Sequence, residues 1–382
     1  MSLSDELRLR LGRLEADGLL RQPLTLAGPR GPEAELGGRR ILVFCSNDYL
    51  GLASDPELAA RAAAAAREEG VGGAASRLIA GSSPAHRRAE RALAELVGLD
   101  DALLFSSGYA ANVGALSALV ERDDVVFSDA LAHASLIDGA RLSRARVHVV
   151  PHADPSALEG ALRAHRGEGR RAWVVTEALF SMDGDRAPLA DLRAVCDRHD
   201  AYLFVDEAHS IGVLGEGRGG CGAQGVRPDV LVGTLGKALG LSGAFVAGAP
   251  ELRAWLENRA RSYVFSTAVS PALAAVVPAA VELVRGGSDR RARLFAHAAR
   301  VRAELGRRWE VVAGESPIVP IVLGEPGRAM EISRALLERG VFVQGIRPPT
   351  VPRGTSRLRL VPTAAHTEAH VDRLLEAFAT LR

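Results

Sequence analysis

Between Leu103 and Ala247 short apolar runs alternate with stretches of helical character, and this alternation restricts the fold more than any other feature of the chain. Leu103-Leu104-Phe105 precedes Gly108 and a helix to Leu119, and Val125-Val126-Phe127 leads to Asp129. Val147 to Val150 is followed by a helix from Pro155 to His165, and Ala172 to Thr176 by one from Leu189 to His199. Ala201-Tyr202-Leu203-Phe204-Val205 runs into Asp206, and Val230-Leu231-Val232 and Ala244 to Ala247 complete the series. Such a pattern predicts an α/β fold, a mostly parallel central sheet with helices on both faces. Open sheets of this kind place ligands just outside the carboxyl ends of their strands. The residues that follow each apolar run are therefore the candidates for chemistry.

Outside this region the elements are shorter. Leu7, Leu11 and Leu14 recur at helical spacing behind Ser2 and Asp5, which predicts a capped amphipathic helix packed on the main body. Ile41 to Phe44 is a short strand, Pro56 to Glu69 an Ala-rich helix, Gly70 to Gly81 a glycine loop and Pro84 to Val97 a charged helix. After a polar break at Arg285 to Asp289 a smaller α+β unit follows. It comprises a helix from Arg291 to Trp309, strands near Val311, Ile318 to Leu323, Val341 and Arg357 to Leu360, and helices Ala329 to Arg339 and Thr367 to Leu381. The 382 residues exceed what one core usually supports, so the expected division is an arm at 1–40, a large domain at 41–285 and a small C-terminal domain at 286–382.

Composition narrows the function classes. A net charge of +1 gives no long-range field for nucleic acid or a membrane surface. The most apolar stretch, Val269 to Val284, is interrupted by Pro271, Pro278 and Glu282 and is too short to span a bilayer. Three scattered cysteines, Cys45, Cys196 and Cys221, fit a reducing compartment, and the N-terminus has no apolar signal core, so a cytoplasmic protein is expected. His148 and His152 flank a strand end with no carboxylate or cysteine cluster nearby in sequence, so they read as surface residues and no metal is expected. Asp206-Glu207-Ala208-His209 also spells a helicase box, but no G-x-x-x-x-G-K-[ST] segment accompanies it. Gly215-x-Gly217-x-x-Gly220 lies in a polar loop and opens no helix after a strand, which removes the dinucleotide reading.

An acid, an imidazole and an amine past successive strand ends, Asp206, His209 and Lys237, suggest a pyridoxal phosphate site. That cofactor needs an amine for its aldehyde, a carboxylate to keep its ring nitrogen protonated, donors for its phosphate and a cation for the substrate carboxylate. Lys237 is the candidate amine, with Gly236 and Gly240 expected to allow close cofactor approach. Asp206 is the carboxylate, and His209 could bond the ring hydroxyl. Ser107 to Asn112, including Gly108 and Tyr109, runs from a strand end into a helix start, where backbone N–H groups bind anions. Ser181 and Thr234 add hydroxyls, and His133 could stack on the ring. Arg347 lies in a proline-stiffened loop suited to carboxylate binding. Arg357 and Arg359 alternate with Leu358 and Leu360 and are expected on a solvated strand face.

Taken together these segments resemble the α-oxoamine synthases, pyridoxal-phosphate-dependent transferases of fold type I. The resemblance rests on Ser46 to Leu52, Ser107 to Asn112, Asp129 to Leu136, Thr176-Glu177 with Phe180 to Asp185, Asp206 to His209, Thr234 with Lys237, and Ile346 to Leu360. It implies that Lys237 binds the cofactor and moves the amino-acid Cα proton, with Asp206, His209 and His133 around the ring. Gly108, Tyr109, Ser181 and Thr234 would cradle the cofactor. Arg347 would anchor the amino-acid carboxylate, with Arg21 and Thr350 on the substrate. Asn47, Ser266 and Thr267 would belong to an active site shared across a homodimer. The implied reaction is a decarboxylating condensation of L-alanine with a pimeloyl thioester, on coenzyme A or acyl carrier protein, in biotin synthesis. Glycine with another acyl-CoA is the alternative within the family, and Gly72 to Arg77 is less glycine-rich than the alanine-using members lead one to expect. Aminotransferases share the fold and form the alternative reaction class.

Overall fold

A computed structural model of the chain describes residues 1–381. They form two compact units: residues 47–181 with 185–291, and residues 1–46 and 182–184 with the chain from Ala292 onward.

The second of these opens with the helix Leu3–Ala16, started by a reciprocal Ser2–Asp5 capping box. The helix is where the leucine spacing puts it, but its packing is not as expected. None of its residues is buried, and Leu7, Leu11 and Leu14 remain 46%, 50% and 41% exposed. The box and the Arg8–Asp5 pair at 2.7 Å support the helix locally. Next come β1 (Glu33–Leu36) and β2 (Arg39–Val43), an antiparallel pair.

The other unit holds the large sheet: β3 (Asp101–Phe105), β4 (Val125–Asp129), β5 (Arg146–Val150), β6 (Ala172–Glu177), β7 (Ala201–Asp206), β8 (Val230–Thr234) and β9 (Ala244–Gly248). Their order is β3-β9-β8-β7-β6-β4-β5. From β8 to β5 every pairing is parallel, and β9 is antiparallel to both its neighbours. The interior strands are buried at every position except Tyr202 of β7, as expected of a sheet covered on both faces. Asp129, Glu177, Asp206 and Thr234 close four of these strands at one edge of the sheet, and Glu177 lies beside Asp206 in register.

The chain returns to the smaller unit with β10 (Val319–Gly324), β11 (Val341–Phe342), β12 (Gln344–Ile346) and β13 (Ser356–Leu360). Strands β10, β13 and β12 make an antiparallel sheet, while β11 joins β2 in parallel. The expectation of a solvated face on Arg357 and Arg359 is corrected here: all five residues of β13 are buried. It is the middle strand of its sheet, both edges paired and both faces covered, and Arg357 pairs with Asp183 and donates to the Thr355 carbonyl.

Around β3 a buried charge cluster sets a stability prediction. Glu90 is fully buried in the helix Pro84–Val97 and accepts from Arg77 at 3.0 Å, Arg87 at 2.9 Å and the Leu104 N–H at 3.2 Å. Removing one partner of a buried pair leaves a charge without compensation. Glu90→Ala is expected to cost about 3–5 kcal/mol, read as a lower chemical-denaturation midpoint. A change of less than about 1 kcal/mol, the range of exposed pairs, would mean that Arg77 finds other compensation.

Candidate active site

The site grows from the carboxyl ends of β6, β7 and β8. Asp206, at the end of β7, is 5% exposed. One of its oxygens accepts from Asn112 Nδ2 at 2.6 Å and the other from the Ala208 N–H at 2.8 Å. Two fixed donors suit a carboxylate. Asn112 also donates to Ser135 Oγ at 2.9 Å, and Ser135 Oγ lies 2.7 Å from His133 Nδ1. A continuous polar chain thus joins His133 to Asp206 through two side chains to which the sequence reading gave no such role.

His133 caps the helix Ala134–Ser143, its Nδ1 accepting from the Ser135 N–H at 3.3 Å. That bond places the neutral ring's hydrogen on Nε2. Burial holds the imidazole below its ordinary pKa, with Asp206 opposing and Lys237 reinforcing the effect. Glu177 was also passed over as a site residue. It is almost wholly buried, and burial together with Asp206 raises it well above the carboxylate range. Burial and the neighbouring carboxylate both disfavour the charged form of Glu177, the usual effect when like charges share a site.

Lys237 follows β8, and its Nζ lies 2.7 Å from His209 Nε2. His209 Nδ1 is 2.6 Å from the Tyr49 hydroxyl. A lysine ammonium donates to Nε2, which leaves Nδ1–H to donate to the Tyr49 oxygen. Lys237 is also the sole lysine in the sequence, every other long basic side chain being arginine. Thr234 is buried, donates to the Gly243 carbonyl at 3.2 Å and accepts from the Gly236 N–H at 3.2 Å.

Glycine at two positions differs in meaning. A Cβ at Gly236 would make ordinary van der Waals contact, with Thr234 Oγ1 at 3.6 Å and the Leu241 carbonyl at 3.7 Å, so no clash excludes a side chain there. A Cβ at Gly240 would come within 2.4 Å of the Leu52 backbone, and its φ is +69°. Gly240 therefore serves close chain packing and a left-handed turn rather than cofactor approach, contrary to the sequence expectation.

Ser107 caps the helix Gly108–Leu119 by accepting from Ala110 N–H at 3.1 Å, so the helix presents its free N–H groups at the end of β3. A Cβ at Gly108 would meet only Thr234 Cβ, at 4.0 Å. Tyr109 is half exposed, with its hydroxyl on Asp138 at 2.5 Å. Ser266 is half-buried and Thr267 exposed, and Thr267 forms a bridge with Ser76. Gly108 and Gly236, where an added Cβ would meet no clash, lie near Thr234 and could hold a phosphate. Asp206, His133, His209 and Lys237 supply the anion, imidazoles and amine that a pyridine aldehyde needs, so these residues fit pyridoxal phosphate.

The smaller unit brings three other candidates together. Arg21 approaches the Pro348 carbonyl at 3.3 Å and Thr350 Oγ1 at 3.5 Å. Arg347 is buried, donates to the Leu20 carbonyl and to Met330 Sδ, and leaves Nε without a partner. Burial and the charge of Arg21 lower the Arg347 guanidinium from its usual value. Two neighbouring cations with no ion-paired carboxylate among the described residues make an anion-binding patch.

The surface reading of His148 and His152 needs correction, since the fold supplies both with carboxylates. His148 Nε2 lies 2.9 Å and His165 Nδ1 2.8 Å from Glu168, which Arg146 also binds at 2.7 Å. The two rings stack at 4.1 Å and 15°, and the ligand atoms of His148, His165 and Glu168 lie within 4.8 Å of one another, a grouping of metal-ligating side chains that sequence distance concealed. His152 sits between two aspartates.

A parallel sheet carrying amine, acid and imidazole at its strand ends beside an anion-ready helix start defines a pyridoxal-phosphate enzyme of fold type I. The family description "aminotransferase class I and II" matches residues 39–378. The 8-amino-7-oxononanoate synthase of Anaeromyxobacter dehalogenans is 51% identical over 381 residues, 99% of this chain and 95% of that one. The enzyme of the same name from Aromatoleum aromaticum is 46% identical over 383 residues, 99% of each chain. Among solved structures, a serine palmitoyltransferase of S. paucimobilis with bound PLP and myriocin matches with a TM-score of 0.93 at 30% identity, over 99% of this chain and 98% of that one. The 8-amino-7-oxononanoate synthase of Francisella tularensis matches with a TM-score of 0.76 at 28% identity, over 89% and 97%. The chain therefore belongs to the aminotransferase class I and II family and, within it, to the 8-amino-7-oxononanoate synthase group of pyridoxal-phosphate-dependent acyltransferases. No helix among the described residues is long and apolar enough to cross a membrane.

Proposed function

We propose that this enzyme condenses L-alanine with a pimeloyl thioester, carried by coenzyme A or acyl carrier protein, to give 8-amino-7-oxononanoate for biotin synthesis. The observation that carries this reading is the identity of 46–51% along nearly the whole chain to synthases of that name. The fold likeness to serine palmitoyltransferase is shared across the reaction class and does not choose a substrate.

When bound, pyridoxal phosphate supplies an electron sink for the pair left at the amino-acid Cα. Lys237 would hold the cofactor through Nζ, and the same amine would remove and return the amino-acid Cα proton. His209, 2.7 Å from that amine, is the polar partner on the ring-oxygen side. Asp206, held by Asn112 and Ala208, keeps a proton on the ring nitrogen. His133 would offer a ring face to the pyridine, and Gly108, Tyr109, Ser181, Thr234, Ser266 and Thr267 would hold the rest of the cofactor. The new bond joins Cα to the thioester carbonyl carbon, the thiol leaves, and the amino-acid carboxylate departs as carbon dioxide.

Arg347 binds the amino-acid carboxylate, and Arg21, Thr350 and Asn47 serve the acyl substrate. Arg347→Ala removes a charged hydrogen-bond donor worth about 1.5–3 kcal/mol. It is expected to raise KM for L-alanine about 10- to 150-fold with a smaller change in kcat, measured by steady-state kinetics. An unchanged KM would remove Arg347 from the substrate site.

Pairing of two chains around shared sites is part of the same proposal. Val71, Ile79 and Phe265, 79%, 81% and 72% exposed, lie close in sequence to the Ser76–Thr267 bridge and support it. Three free thiols support a cytoplasmic setting. The deciding experiment offers the holoenzyme L-alanine and glycine, with pimeloyl-CoA and acetyl-CoA in competition, and identifies products by mass spectrometry. A dominant 8-amino-7-oxononanoate signal supports the proposal, and a dominant 2-amino-3-oxobutyrate signal overturns the substrates.

A further inference from the structure

We propose that His152 is a positioning residue, a cationic brace that fixes the turn carrying Ser181 against the end of β4 and so shapes the phosphate cradle. It rests on the reading above that Ser181 contacts the cofactor.

The geometry runs through both ring nitrogens. His152 Nδ1 lies 2.9 Å from Asp129 Oδ1, and Nε2 lies 2.6 Å from Asp185 Oδ2. An imidazole with a carboxylate on each nitrogen satisfies both only by donating twice, as the imidazolium. Those two hydrogen bonds raise His152 to about 10, against the opposing effect of burial.

Each end of the brace is itself held. Asp129 ends β4, is 7% exposed, and accepts from the Leu131 N–H at 2.8 Å and the Ala153 N–H at 2.9 Å. That turn leads directly to His133. At the other end the Asp185 carbonyl accepts from the Phe180 N–H at 2.9 Å, and Leu179 bridges to Arg186. This closes the turn on which Ser181 sits. Phe180 meets the His152 ring edge to face at 4.3 Å and 88°. Asp185 is pinned by His152 through Oδ2, and its buried Oδ1 has no partner, so the brace is the contact that locates this carboxylate.

The test is a double-mutant cycle on cofactor affinity, read by equilibrium dialysis of the full-length holoenzyme, with thermal unfolding of each variant alongside. His152→Gln keeps a polar side chain but loses the charge and one of the two donations. It is expected to weaken pyridoxal phosphate binding about tenfold, whereas in a Ser181→Ala background the same change should cost less than about twofold. Asp185→Asn should reproduce the loss and add nothing to His152→Gln. The inference fails if His152→Gln costs the same factor in both backgrounds, if the two brace variants are additive, or if His152→Gln leaves affinity unchanged. Should Ser181→Ala alone leave affinity unchanged, the cradle reading of Ser181 fails and takes this inference with it. The two failures are therefore distinguishable.

Discussion

Lys237→Ala is expected to lower turnover by at least about four orders of magnitude. Loss of a positioned proton-transfer group alone costs about 10²- to 10⁴-fold, and this variant also loses the covalent hold on the cofactor. The chain has no second lysine to substitute, so no rescue from a neighbour is available. The same fact makes the test direct. Borohydride treatment of the wild-type holoenzyme should add the mass of the reduced cofactor to the peptide containing Lys237, and the variant should take up none. Turnover near the wild-type level, or label elsewhere in the chain, would overturn the assignment.

Asp206→Asn is the second large effect. The change keeps the shape of the side chain, and an amide oxygen can still accept from Asn112 or Ala208, so folding should survive. The negative charge beside the ring nitrogen is what disappears. An opposite charge at close range shifts a pKa by up to about 3 units, at about 1.4 kcal/mol each. The protonated ring therefore loses about 4 kcal/mol, a roughly thousandfold drop in kcat/KM. Steady-state kinetics together with circular dichroism separate this from misfolding. A folded variant within tenfold of wild type would mean that the proton on the ring is not supplied through Asp206.

The outline of this candidate site was readable in the sequence because its main residues sit at or just past the ends of apolar strands. Asp206 and Lys237 needed only strand ends and chemistry, and the parallel sheet followed from the alternation of elements. The partners were harder. Tyr49, Asn112, Ser135 and Glu177 act through residues up to 160 positions away, and nothing local marks an asparagine in a helix as the donor to a distant aspartate. The same limit explains His152, whose two carboxylates come from the end of β4 and from the turn after β6. Arg357 and Arg359 were misread because alternation of charged and apolar residues describes a half-solvated strand, and β13 has no solvated face. Periodicity located the helix Leu3–Ala16 but could not say whether its leucines would meet a partner.

The neighbouring acids Asp206 and Glu207 do opposite work. Asp206 turns toward Asn112, while Glu207 is fully buried and accepts from Gly220 N–H at 2.7 Å, Cys221 N–H at 2.6 Å and the Ser210 hydroxyl. Adjacent side chains on an extended backbone leave on opposite sides, so the pair encodes a parity. Sliding this segment by one residue would turn each acid to the opposite face, taking Glu207 away from the 215–221 turn and Asp206 away from Asn112. A one-residue insertion or deletion in β7 would thus be a frameshift in three dimensions, keeping both acids in the chain while separating each from its partners.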